Sequence, residues 1–193
     1  MQVDPVVLTG NHVQLEPVGE SHIGEMWAVA GDQNVWRFIP WRVQSEEDMA
    51  LLVHHGMQMA EAGLGIGFAQ RAIADGQVAG GTGYWAIDTQ HRRLEIGFTW
   101  LHPRWQRTAI NTEAKYLLLR HAFEELGCIR VEFKTDGRNV KSRAALERIG
   151  AVAEGTFRNH MIMLDGVYRH SAYYSIIDTE WPAVKQRLES KLS

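Results

Sequence analysis

A chain of 193 residues with 20 Lys and Arg against 23 Asp and Glu carries a formal net charge of −3, which argues against a broad nucleic-acid-binding surface. Hydrophobic residues at 45% and charged residues at 22% exclude the disordered class, and no apolar run approaches bilayer length. The single cysteine, Cys128, excludes an internal disulfide and suits a reducing compartment. The expectation is one domain over residues 1–193 in the cytoplasm, with no membrane and no nucleic acid as partner. Met1-Gln2-Val3-Asp4-Pro5 has no basic patch and reads as no secretory signal.

Val6 to Pro17 alternates as an opening strand, with Val13 and Leu15 on one face. Ile23, Met26, Trp27 and Ala30 fall at helical spacing and Gly31 ends that helix. The loop Trp36-Arg37-Phe38-Ile39-Pro40-Trp41-Arg42 is dense in aromatics and arginine. That composition suits recognition of a peptide or small organic acceptor, although a loop pinned to the core or a dimer contact is the favoured reading. Ser45-Glu46-Glu47-Asp48 resembles a capping box with Asp in its last place. It opens a helix on which Met49, Leu52, Val53, Gly56, Met57 and Ala60 share a face, the methionines reading as core filler.

Ile66 to Ala74 and Gln77 to Ile87 are strand-like around Asp75-Gly76, a type I′ hairpin signal, and Arg92 to Trp100 is a third strand. A helical run, Thr112 to Leu126, follows, then a strand-like run, Ile129 to Thr135, and a helix closed by Gly150. Gly155 to Leu164 and Val167 to Ile177 flank a second hairpin at Asp165-Gly166. Val184, Leu188 and Leu192 stripe a last helix. This order predicts an α+β fold around one central mixed sheet of about seven strands. Cys128, between Gly127 and a strand, reads as a small buried hydrophobe.

Between the third strand and the helix lies Leu101-His102-Pro103-Arg104-Trp105-Gln106-Arg107-Thr108-Ala109-Ile110-Asn111. A loop turning directly from strand into helix points unpaired N–H groups outward with the positive end of the helix dipole behind them, an anion site suited to a pyrophosphate. About thirty residues on, Asn139-Val140-Lys141-Ser142-Arg143-Ala144-Ala145-Leu146-Glu147-Arg148-Ile149-Gly150-Ala151 again joins a strand to a helix. These two blocks, in this order, resemble the GNAT superfamily of N-acetyltransferases, whose first pattern is roughly V-x-P-x-x-Q/R-x-x-G-x-G/A. Its second is N-x-x-S/A-x-x-x-Y/L-x-x-x-G-F/A. The tail from Tyr168 to Trp181 resembles the branch that contains ribosomal-protein N-terminal (alanine/serine) acetyltransferases. Ala109 and Asn111 stand where small residues are usual, without glycine's freedom at positive φ. Proline at Ala109 is expected to delete a donor and distort the loop.

No HExxH or paired CxxC is present, so no metal site is expected. The resemblance implies acetyl-CoA as co-substrate and an amine acceptor that is a protein N-terminus or a small molecule. It implies strands that splay apart ahead of the two motif helices, with coenzyme A in the cleft and the loops around Val35 to Val43 over the acceptor side. Gln106, Arg107, Thr108, Ala109, Ile110 and Asn111 would hold the pyrophosphate, and Asn139, otherwise a helix cap, the pantetheine arm. Backbone N–H groups near Thr99, Trp100 and Leu101 would receive the oxyanion. Arg37, Trp41 and Trp85 are the candidates for acceptor contact.

Acyl transfer to an amine requires loss of a proton, because α-ammonium groups titrate near 8 and lysine near 10. Glu95 is the candidate base: a carboxylate in a central strand is costly unless paired or solvated, and alternation puts Glu95, Gly97 and Thr99 on one face. The alternative is an ion pair with Arg92 or Arg93. Much of the family has a tyrosine where this chain has Leu146, which cannot donate a proton to the departing thiolate. Ser142 is the nearest hydroxyl, and its alternative role is to satisfy the helix N-terminus. A non-catalytic acyl-CoA-binding module, transfer of another acyl group such as succinyl, and a homodimer all stay open.

Overall fold

The computed structural model describes residues 1–193. Eight strands form one sheet in the order β1-β2-β3-β4-β5-β6-β8-β7. The strands are β1 (Leu8–Thr9), β2 (Val13–Pro17), β3 (Ile66–Ala72), β4 (Val78–Asp88), β5 (Arg93–Leu101), β6 (Arg130–Asp136), β7 (Val152–Ile162) and β8 (Tyr168–Ile177). Every neighbouring pair is antiparallel except β5–β6. The helices are α1 (His22–Val29), α2 (Glu46–Glu61), α3 (Ala109–Arg120), α4 (Val140–Ile149) and α5 (Trp181–Leu192). None is long and apolar enough to cross a membrane.

The eighth strand comes from the opening alternation, which breaks in two at Gly10. The Glu113 carboxylate of α3 accepts hydrogen bonds from the N–H groups of Asn11, His12 and Val13 at 2.8, 2.6 and 2.8 Å. A carboxylate that satisfies three successive donors stabilises a tight turn there, so β1 folds back on β2 with Leu8 opposite Leu15. The Asp75-Gly76 hairpin forms, but only Gly76 has positive φ (70°), so its turn is not the type I′ that the dipeptide suggests.

Apolar side chains from the two faces of the sheet build two clusters. One face, with Leu94, Ile96, Val131 and Phe133, packs against Ala114, Leu117 and Leu118 of α3, Leu146 of α4 and Leu188 of α5. The other, with Ala69, Val78 and Trp100, packs against Met26, Met49, Leu52 and Val53 of α1 and α2, so the methionines are core. Ser45 caps α2, accepting from the Asp48 N–H, while the Asp48 carboxylate accepts from Gln44, one residue beyond the position a capping box uses.

The chain positions its site by what happens to β5. Parallel pairing with β6 covers only Arg93 to Glu95. Beyond Glu95, β5 bulges at Phe98, whose φ is +52°, and its register with β4 shifts. A bulge bends and twists its strand. From that point β5 and β6 part, and each runs into a helix N-terminus, α3 and α4 respectively.

Candidate active-site cleft

The parted strands open a cleft of about 1020 Å³, walled by β5 and by β6 with α4, floored by α3 and roofed by residues 32–40. Glu95, Trp85, Trp100, Leu101, Gln106, Asn111, Asn139, Ser142 and Arg37 all border it. Trp41 does not: its ring packs on His55 and Phe98 at centroid distances of 5.3 and 6.3 Å, behind the lining. Trp85 lies 6.0 Å from Phe98, and its indole N–H is buried without a partner.

The side chains of Arg107 to Ile110 do not line the cleft. Ile110 is buried in the core. Thr108 caps α3, its hydroxyl accepting weakly from the Ile110 N–H at 3.4 Å and donating to the Trp105 carbonyl at 2.7 Å. The Gln106 amide donates to the Leu101 carbonyl at 2.9 Å and so braces the loop. What this segment offers is backbone, because a helix leaves its first N–H groups without internal acceptors. Helix α3 starts three residues earlier than periodicity places it, so Ala109 and Asn111 are helical and need no positive φ. The left-handed residue in the loop is Arg107, with φ of 62°. Asn111 borders the cleft, and its Oδ1 is buried without a hydrogen-bond partner.

On the opposite wall the Asn139 Oδ1 accepts from the Ser142 N–H at 3.1 Å, the helix cap. Its NH₂ end makes no hydrogen bond to the protein, so capping leaves a donor pair available. Leu146 is buried and borders the cleft, with Ser142 one turn before it.

Glu95 is 6% exposed, and its Oε2 lies 2.8 Å from the Lys134 Nζ of β6. The ion pair is therefore not with Arg92 or Arg93. Arg93 is engaged by Asp88 and Glu132, each at 3.1 Å. Sequence distance favoured the arginines, whereas β5–β6 pairing brings Lys134 alongside Glu95. The buried Asp136 carboxyl is held well below the usual carboxylate range by the Arg138 guanidinium beside it.

Sequence reasoning missed two buried cations. Arg169 of β8 is 4% exposed, donates to the Ser171 hydroxyl at 3.0 Å and the Phe38 carbonyl at 3.4 Å, and forms no ion pair within 4 Å. It ties the roof to the sheet. Lys115 of α3 is 6% exposed and gives its Nζ to the Thr99 hydroxyl at 2.8 Å and the Thr82 hydroxyl at 3.4 Å. Burial pushes its ammonium down to about 7, against a smaller upward pull from Glu95. The signal was a lysine on the apolar side of the Thr112–Leu126 periodicity, between Asn111 and Leu118 at helical spacing. Arg37, Lys115, Lys134, Arg138, Lys141 and Arg169 border the cleft against Asp32 and Glu95, so it is cationic in a net acidic chain.

The family model for the acetyltransferase (GNAT) domain matches residues 12–152. A curated Bacillus subtilis (strain 168) protein named "Putative ribosomal N-acetyltransferase YdaF" is 34% identical over 113 residues, 58% of this chain and 61% of that protein. The match thus spans less than two thirds of that relative. A crystal structure from T. thermophilus, described as a "putative acetyltransferase", superposes with a TM-score of 0.90 at 36% identity over 100% of both chains. Mycobacterium smegmatis RimJ, solved with CoA-disulfide, shares the fold with a TM-score of 0.84 at 20% identity, covering 97% of this chain and 95% of its own.

Proposed function

The chain belongs to the GNAT acetyltransferase family, and on that premise we propose that it transfers acetyl from acetyl-CoA to a primary amine by direct attack, acting as one domain over residues 1–193. The observation that carries the reading is the splayed β5–β6 pair, with a buried carboxylate, Glu95, at the point of divergence and the N-terminus of α3 opening on the same cleft. A cationic lining and free first-turn N–H groups fit a polyanionic coenzyme.

In this reading the backbone from Gln106 to Asn111 holds the pyrophosphate, and the Asn139 NH₂ donates to the pantetheine arm. The backbone of Thr99 to Leu101, set by the bulge at Phe98, offers the oxyanion its N–H donors. Glu95 takes the amine's proton directly or through water, and Lys134 orients its carboxylate. Ser142 hydrogen-bonds the departing thiolate, but a hydroxyl is too weak an acid to protonate it at neutral pH. Arg37 and Trp85 border the acceptor side, with Trp41 supporting them from behind.

A protein N-terminus is the first acceptor to test, because the 34%-identical relative is named as a ribosomal N-acetyltransferase. Small-molecule amines come second. The fully thiol state of buried Cys128 suits the cytoplasm. Purified protein with acetyl-CoA and a panel of N-terminal peptides and amines, read as free thiol, tests the activity. Thiol release with any amine supports the transferase. Tight acetyl-CoA binding with no release from any acceptor leaves a non-catalytic acyl-CoA-binding module, and release only from succinyl-CoA makes the acyl group succinyl.

A further inference from the structure

Lys115 costs the fold stability that an apolar residue would not. An ammonium withdrawn from water carries a penalty of several kcal/mol unless a carboxylate pairs with it, and no carboxylate lies within 4 Å of this one. Its partners are two hydroxyls, and these already bond each other at 2.9 Å, so neither needs the lysine. Methionine would fill the same slot on α3. The place is informative too. Thr99 follows the bulged Phe98, in the part of β5 that β6 has left, and both Thr99 and Lys115 border the cleft. One turn earlier on the same helix, Asn111 also borders the cleft, and its Oδ1 is buried without a partner. The cleft side of α3 thus carries polar groups that the core does not need.

Resting on the acetyl-transfer reading, we propose that Lys115 delivers the proton taken up by the departing thiolate, with Thr99 and Thr82 holding its Nζ in position. The amine nitrogen bonds to the acyl carbon, and the C–S bond breaks with its electron pair on sulfur. An Nζ–H proton passes to that sulfur, leaving neutral Lys115 and a free thiol. Glu95 holds the proton released by the amine, and exchange with solvent reloads Lys115 and unloads Glu95. Leu146 has no proton to give and Ser142 is a poor acid, so neither residue of the second motif block supplies this proton; of the lysines bordering the cleft, Lys134 is paired with Glu95 and Lys141 is exposed. An ordinary lysine, near 10.5, is a weaker acid than a thiol near 8.5. Burial brings Lys115 to about 7 and reverses that order, and Glu95 is the only charge acting appreciably upon it.

Two measurements on wild type and Lys115→Met decide it. The first is ultraviolet titration of the thiol in bound, unacylated coenzyme A. At pH 7 the sulfur in the wild-type complex should be a thiol, with no more thiolate than free coenzyme A, because Lys115 gives up its proton first. The second is the pH profile of kcat at saturating acetyl-CoA. Lys115→Met should lose about 10²-fold at pH 7, lose the alkaline decline above neutrality, and keep acetyl-CoA affinity within a few-fold. A wild-type complex that holds thiolate beside a protonated Lys115 at pH 7 overturns the proposal, because the lysine is then the stronger base, and it does so even if the variant fails to fold. So does a folded Lys115→Met with lower kcat but an unchanged profile, which marks a packing effect. Failure of wild type to bind coenzyme A at all rejects the acetyl-transfer reading itself.

Discussion

Among single residues, Glu95 and Lys115 are assigned opposite protonic roles in the proposed reaction. Glu95→Gln should keep fold and acetyl-CoA affinity and lower turnover roughly 10²-fold at neutral pH, the scale of a lost general base. Part of that loss should return at high pH, where the amine deprotonates unaided, and unchanged turnover at pH 7 would reduce Glu95 to the ion-pair partner of Lys134. For Lys115 the linkage runs through stability. Its folded value is depressed to about 7 from the ordinary lysine value of 10.5, so below pH 7 both states are charged and the full burial cost stands. Between about 7 and 10.5 the unfolded chain holds a proton that the folded one has shed, so stability rises with pH across that window. Lys115→Met should therefore melt above wild type at pH 6 to 7, with the gap closing toward pH 10. Melting temperatures of both proteins across that range check it, and a constant gap would contradict the buried titration.

At the scale of elements, the start of α3 does the anchoring. Its Glu113 fixes the β1–β2 turn, Thr108 caps it, and its first turn faces the cleft. Ala109 is the first helical residue and Thr108 before it is extended (φ −106°, ψ 179°), a pairing that accepts proline at the following position. The expectation that Ala109→Pro distorts the loop is thus replaced by a sharper one. The variant should melt within about 1 kcal/mol of wild type and lose only one N–H donor, a hydrogen bond to a charged group contributing about 1.5–3 kcal/mol. Acetyl-CoA should bind roughly 10- to 100-fold more weakly by calorimetry. Equal affinity in a folded variant would move the pyrophosphate elsewhere.

For the whole molecule, charge distribution matters more than total charge. A net of −3 conceals a cleft in which six cationic side chains face two carboxylates. Arg37, Arg138 and Lys141 are the exposed ones, and exposed cations act over roughly 8–10 Å at physiological salt, so these three would attract a polyanionic ligand through a field that added salt screens. Raising NaCl from about 0.05 to 0.5 M should weaken acetyl-CoA roughly 10-fold, while the Michaelis constant of a neutral-backbone amine shifts far less. Salt-independent acetyl-CoA binding would mean that these side chains serve one another rather than the ligand.

Local patterns reached far along this chain. Period-2 and period-3.6 runs foretold the strands and helices of an α+β fold around one mixed sheet, and the Asn139-to-Ala151 block announced its cap and left-handed Gly150 (φ 104°). Both motif blocks pointed to the family and to a cleft, because caps, turns and strand-to-helix junctions are written in neighbouring residues. Contacts across the sheet were not. That Glu95 pairs with Lys134 and that Glu113 breaks the opening strand in two both depend on segments dozens of residues apart meeting. Lys115 belongs to that class as well. Periodicity put a lysine on an apolar helix face, but only the packing of α3 beneath Thr82 and Thr99 withdrew it from water and made its proton available near neutrality.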